Sequence, residues 1–231
     1  TDGAAAWVTI TRLGDLPGGS VSSVATAVSA DGRVVAGFSM SSLGLEAFRW
    51  TRSTGIEGLG QLSEDSITSQ ALGISGDSST IVGGGVDASG TAALRWTENT
   101  RWQSIGDLPG GVVVSDARAI SADGRVVVGR SGSALGSEAF RWTETEGMTG
   151  LGSLPSSFFS EAVATSEDGT VIVGKSNGQA FRWTQNIGMV GLGDLPGGVF
   201  ASEANGVSAN GNVVVGRSSV DNGLEAFRWT Q

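Results

Sequence analysis

Three carboxylates hold the same place in successive copies of a repeat: Asp116, Glu161 and Glu203, where the two earlier copies carry Val24 and Gln70. Each stands between a Ser and an Ala at the start of the first strand of its copy, and Arg118 lies two residues beyond Asp116. Acids that converge in this way can ligate a hard metal, orient sugar hydroxyls, or serve as acid and base in glycoside hydrolysis. Their plainer role is hydrogen bonding to neighbouring loops, since structural ion pairs are common. Just upstream come Val21, Ile67, Val113, Phe158, Phe159 and Phe200. Phe158, Phe159 and Phe200 can form an apolar lip for acyl chains or a stacking surface for sugar rings, or turn inward and anchor their loops.

Other chemistry is closed by composition. The chain has no His, no Cys and no Tyr. That excludes a Ser-His-Asp or Cys-His nucleophile, a His-ligated zinc, thiolate metal sites and disulfides. Carboxylate pairs, a Ser assisted by Lys175 or by a carboxylate, and oxygen-ligated metals remain. No constellation is specific enough to choose among them, and no metal or cofactor is assigned.

The elements that must position these residues are set by a repeat. Phe48-Arg49-Trp50-Thr51 returns at Leu94, Phe140, Phe181 and Phe227, at steps of 46, 46, 41 and 46 residues. A Leu-Gly marker keeps the same beat from Leu13, Leu59, Ile105, Leu151 and Leu192. Five copies fill residues 1–231 as a single domain. Within a copy, turn residues and periodicity predict four short strands. The first runs from Ser23 to Ser29 and its counterparts, and ends in a tight turn at Asp31-Gly32, Asp77-Ser78, Asp123-Gly124, Asp168-Gly169 or Asn210-Gly211. Such pairs accept the positive φ a hairpin needs, so a second strand folds straight back. The third strand carries Phe-Arg-Trp-Thr and the fourth is a run such as Gly55 to Leu59. The chain opens at residues 4–13 on what is by position a fourth strand, and stops after a third strand. An all-β, five-bladed β-propeller of four-stranded blades, closed by strand 4–13 pairing with the last blade, satisfies that phase and leaves no open edge.

The recurring Trp and Arg of the third strands read as packing between blades, with Arg stacked on Trp. Asp15, Asp107 and Asp194 read as turn-forming acids. The 41-residue step places its deletions in the fourth-to-first and second-to-third loops, on one side of the ring. Variable loops on a rigid scaffold carry binding, so that side is the expected functional face.

Net charge is −9, Lys175 is the sole lysine, and no basic run exists. Phosphate-backbone binding needs clustered Lys and Arg, so nucleic acid is not an expected partner. No apolar stretch approaches the length that spans a bilayer.

Glu46-Ala47-Phe48-Arg49-Trp50, seen again at Glu138–Trp142 and Glu225–Trp229, together with Ala-Asp-Gly-Arg-Val-Val-Val-Gly at 122–129, resembles the HAF-type extracellular repeat of bacterial secreted proteins. The likeness runs along the whole chain, with Glu46, Ala92, Glu138, Gln179 and Glu225 where that family's His stands. The resemblance implies an exported, extracellular or cell-surface protein, an autotransporter passenger tethered to an outer-membrane barrel. Two functions are expected. One is a monomeric binding or adhesion domain that recognises a glycan or host-surface protein. The other is a secreted glycosidase or esterase that uses Asp116, Glu161 and Glu203 on a small apolar substrate.

Overall fold

The computed structural model describes residues 9–87 and 90–231, which contain nineteen strands and no helix. Unit 1 comprises β1 (Gly18–Val28), β2 (Val34–Ser41), β3 (Gly44–Thr51) and β4 (Gly55–Gly58). Unit 2 comprises β5 (Thr68–Ile74), β6 (Thr80–Asp87), β7 (Gly90–Thr97) and β8 (Arg101–Ser104). Unit 3 holds β9 (Ser115–Ile120), β10 (Val127–Ser133), β11 (Gly136–Thr143) and β12 (Gly147–Gly150). Unit 4 holds β13 (Ser160–Thr165), β14 (Val171–Ser176), β15 (Gln179–Thr184) and β16 (Gly188–Gly191). Unit 5 has β17 (Ser202–Val207), β18 (Val213–Val220) and β19 (Gly223–Thr230). Each unit is an antiparallel meander. Units 1 and 2 merge into one sheet through a single parallel pairing, Leu45 with Thr68. Isolated bridges Thr91–Val114 and Ser137–Phe159 mark the same place at the next two junctions.

The core lies between units rather than within them. The second strands of units 3 and 4 open on apolar runs, Val127-Val128 just after Val126 and Val171-Ile172-Val173, buried on both faces because these sheets have a neighbour on either side. One cluster joins Ala36 and Ala47 of unit 1 to Ile81, Leu94 and Trp96 of unit 2. Similar clusters fill the next three junctions, around Phe140, Phe181 and Val214. Arg95 lies 6.0 Å from the Trp142 ring and Arg182 lies 6.0 Å from the Trp229 ring. The Phe-Arg-Trp-Thr motif therefore packs one unit on the next.

Two polar devices repeat at the junctions. The Ser that opens a first strand accepts the Ala N–H of the preceding third strand and donates to the Gly carbonyl of the Leu-Gly marker. Ala139 N donates to Ser160 Oγ (2.8 Å), which donates to Gly152 O (2.6 Å). Ser69, Ser115 and Ser202 do the same. At the opposite end, each hairpin Asp or Asn accepts a hydroxyl and a backbone N–H, as Asp123 does from Ser121 and Arg125. The residues before them form a belt from unit to unit: Ala30 N to Gly76 O, Gly76 N to Ala122 O, Ala122 N to Glu167 O and Glu167 N to Ala209 O.

The predicted strands and hairpins are found within a few residues of their expected bounds. Of the expected closing segment 4–13, residues 4–8 lie outside the described residues; Thr9 to Leu13 form no strand, and Ile10 is 95% exposed. Among the described residues no strand pairing or hydrogen bond joins unit 5 to unit 1. Ser23 Oγ donates to Gly14 O, yet its expected partner, Ala226 N–H, does not reach it. Nearly all of β1 is exposed, Ala25 included, where its counterpart Ala71 of β5 is fully buried. Among the described residues no closed sheet is seen.

Candidate functional site

The acid position is aimed by a bulge. In every unit the first strand carries one extra residue against the second: Thr26, Leu72, Arg118, Val163 and Asn205. A bulge bends its strand and re-aims side chains. It also presses the backbone of the acid position onto a glycine of the second strand. A Cβ on Gly129, Gly174 or Gly216 would come far inside van der Waals contact distance of the carbonyl oxygen of Asp116, Glu161 or Glu203. Glycine there is a requirement of close approach.

The structure brings the predicted residues together and adds three that carry charge. Asp116 is paired across the sheet with Arg130, Glu161 with Lys175, and Glu203 with Arg217. The same positions in units 1 and 2 hold Val24 with Phe38 and Gln70 with Gly84. Arg118, the bulge residue of unit 3, places Nε 2.9 Å from Asp116 Oδ2 and Nη2 3.0 Å from Glu161 Oε1. Its Nε–H is not aimed at an acceptor, so the Asp116 contact is coulombic rather than a hydrogen bond. Lys175 Nζ stands 3.8 Å from Glu161 Oε2 and 3.9 Å from Glu203 Oε2, and Arg217 Nε lies 2.6 Å from Glu203 Oε1. A ladder of alternating charge thus crosses units 3, 4 and 5.

The ladder is not a cation site. Four cations face three carboxylates, and the carboxylates lie deeper: the side chains of Glu161, Asp116 and Glu203 are 10%, 17% and 25% exposed. Arg118, Lys175 and Arg217 are 35%, 37% and 53% exposed. The surface offered to solvent is basic in a chain of net charge −9. Among the described residues no group of three or more ligating side chains is arranged for a metal ion. Burial raises the proton affinity of Asp116, against the opposing pull of Arg118 and Arg130. Desolvation disfavours the charged form of a carboxyl group, and Glu161 nearby adds to it.

A cavity of about 370 Å³ opens beside the ladder between units 4 and 5, lined by Phe159, Lys175, Ser202, Glu203, Arg217 and Leu224 among others. Lys175 Nζ is 5.8 Å from the Phe159 ring centroid. Phe159 is half-buried in this wall, whereas Phe158 and Phe200 are exposed. Val21, Ile67 and Val113 are exposed too, so these loop residues do not turn inward as anchors. Only Phe159 joins the ladder. A wider cleft of about 670 Å³ lies over unit 3, where Arg130 meets Gly110, Val112 and Ser133.

The opening at unit 4 follows from its short second hairpin. β14 and β15 have six residues each, where β18 and β19 have eight, and the turn remains two residues, Asn177-Gly178, both at positive φ. The deletion expected in a loop lies in the strands themselves, because a two-residue turn cannot be shortened further. The wall is lower there, and Lys175 stands near its rim.

Glu46 and Glu138, at the place of the repeat family's His, accept the N–H of Gly60 and Gly152 at 2.9 Å. They fix the linker to the next unit and take no part in the ladder.

No family model matches the sequence, and no curated protein matches it. Among solved structures the chain is similar to TolB from Acinetobacter baumannii, with TM-score 0.59 and 16% identity over 90% of this chain and 52% of that one. A TolB-type protein from Agrobacterium tumefaciens gives TM-score 0.60 and 15% identity over 90% of this chain and 76% of that one. The nidogen/laminin complex gives TM-score 0.53 and 10% identity over 89% and 75%. The chain spans about half the length of the Acinetobacter protein. At these identities the likeness establishes a β-propeller type of repeated-sheet fold.

Proposed function

We propose that this chain is a binding domain of an exported bacterial protein, which recognises a glycan or a host-surface protein through the loop face of units 3 to 5. The observation that carries the reading is the ladder itself. Its carboxylates are each compensated by a cation, its cations lie outermost, and it occurs where one unit's wall is lowered. Paired acids of this kind are poorly placed as general acids and bases, because their oxygens are already engaged by neighbouring cations. They are good at fixing the direction of the cations above them. Export and tethering to an outer-membrane barrel rest on the repeat resemblance, and a four-stranded plan for all five blades rests on the repeat phase.

A glycan array and a cell-adhesion assay on the purified chain test this. Binding above a charge-matched control protein, reduced by replacing loop-face residues, is the expected result; no binding in either assay overturns it. A hydrolase reading is favoured by one observation, the proton affinity of Asp116 raised by burial, which is the direction a general acid requires. It requires turnover of a glycoside or ester panel that Asp116→Asn abolishes.

A further inference from the structure

Lys175 and Arg217 have donors left over. Lys175 Nζ is 3.8 and 3.9 Å from its two carboxylates, beyond the roughly 2.7–3.2 Å of a hydrogen bond. Arg217 is held through Nε alone, so its Nη donors, on a side chain 53% exposed, carry no ion pair among the described residues. Both line the cavity between units 4 and 5, which Glu203 shares with them and whose other walls include Phe159, Ala201 and Leu224. The hydroxyl of Ser202 is already spent on Ala180 N and Gly193 O. The cavity therefore offers unspent cationic donors on one side and apolar or aromatic surface on the other. At about 370 Å³ it falls at the small end of the roughly 300–1,000 Å³ that hold small ligands.

We propose that this cavity binds a carboxylated sugar, with the carboxylate on Lys175 and the Arg217 fork and the ring against Phe159. The idea rests on the glycan-binding reading above and names its ligand class. Three features select this chemistry. A planar carboxylate suits the guanidinium fork, whose Nε is fixed by Glu203 so that the Nη side is presented in one orientation. Over the whole ladder, Arg118, Arg130, Lys175 and Arg217 exceed Asp116, Glu161 and Glu203 by a single positive charge, which suits a monoanion better than a polyanion. A sugar ring has one apolar face, which stacks on an aromatic ring as neutral polar solutes do not. Neutral sugars would leave Lys175 and Arg217 desolvated without a partner, and an unmade bond to a charged group costs more than the bond contributes.

The test is calorimetric titration of the whole chain at low ionic strength with the methyl glycosides of glucuronate, galacturonate and N-acetylneuraminate, each against its neutral alcohol or methyl ester. At least one acid is expected to bind ten-fold or more tightly than its neutral counterpart. Lys175→Gln and Arg217→Gln should each weaken it at least five-fold, and Arg217→Lys should recover only part. Both side chains are partly exposed, so an unchanged melting temperature verifies that the variants fold. Equal binding of acid and neutral forms, or binding indifferent to both substitutions, overturns the inference. If the array detects a ligand that both Gln variants still bind, the inference falls and the binding reading stands; if the array detects none, both fall.

Discussion

At the scale of single residues, two sets of acids respond to pH with opposite sign. The hairpin acids sit below their ordinary range: Asp123 because Ser121 and then the Arg125 N–H donate to it, Asp77 and Asp168 by the Ser75 and Ser166 hydroxyls first, Asp31 by the Arg33 N–H first. A depressed folded value means that the unfolded chain takes up protons first as pH falls, so their stabilisation is present above about pH 4 and lost below it. Asp116 is raised, so the folded chain holds its proton longer and stability declines as pH climbs through its folded value. Asp123→Asn should fold with its turn intact, as Asn210 does in unit 5, while losing its share of the acid sensitivity. Asp116→Asn should be within about 1 kcal/mol of the parent at neutral pH, whereas Glu161→Gln, which takes from both Arg118 and Lys175 the more buried of their two carboxylates, should cost about 2 kcal/mol or more. Urea titrations between pH 3 and 8 read both. A fall in stability for Asp116→Asn as large as that for Glu161→Gln would falsify the assignment of opposite roles.

At the scale of strands and turns, the sequence is legible where a rule acts locally. Asp-Gly and Asn-Gly pairs fix the hairpins, Val runs fix the buried second strands, and the steps between Phe-Arg-Trp-Thr motifs fix the repeat. Three things resist such reading. The bulge at Arg118 has no residue signature of its own, although the glycine it demands, Gly129, recurs at Gly37, Gly83, Gly174 and Gly216. The partners Arg130, Lys175 and Arg217 come directly after those glycines, so aligning the repeats on that glycine exposes the acid-base column that a scan for acids alone overlooks. The 41-residue step announces a deletion but not its place, since losing two residues from each of two paired strands leaves the turn unchanged. Replacing 176–179 with the eight residues Ser131 to Glu138 of unit 3 should therefore raise the wall, keep the fold and weaken acidic-sugar binding ten-fold or more. Gly174→Ala should do the reverse, unsettling β13 against β14 at a cost of about 2 kcal/mol or more. Thermal melts with parallel titrations separate the two.

At the scale of the whole molecule, stability is shared among neighbours, as in other repeat arrays. Four interior junctions carry the Ser clamp or the backbone belt or both, and the terminal units lack one side of each. Ala226 N–H and Ala209 N–H have no acceptor among the described residues, while their counterparts Ala139 and Ala122 do. Hydrogen exchange should then be slow at Ala47, Ala93, Ala139 and Ala180 and faster by an order of magnitude or more at Ala226. Equal protection at Ala226 would mean that unit 5 is covered in solution. The closing strand is a global inference from repeat phase, and residues 4–8 of its expected span 4–13 lie outside the described residues.

If the acid-base column binds as proposed, it has a bearing on how such a scaffold would change its ligand. Its ten positions hold Val24 and Phe38, Gln70 and Gly84, and then three oppositely charged couples, while the carbonyls, glycines and bulges beneath stay the same in all five units. Recognition and folding are thereby written in separate alphabets. Mutation can respell the first, couple by couple, with no letter of the second disturbed, so related chains can diverge in what they hold while remaining interchangeable in how they stand.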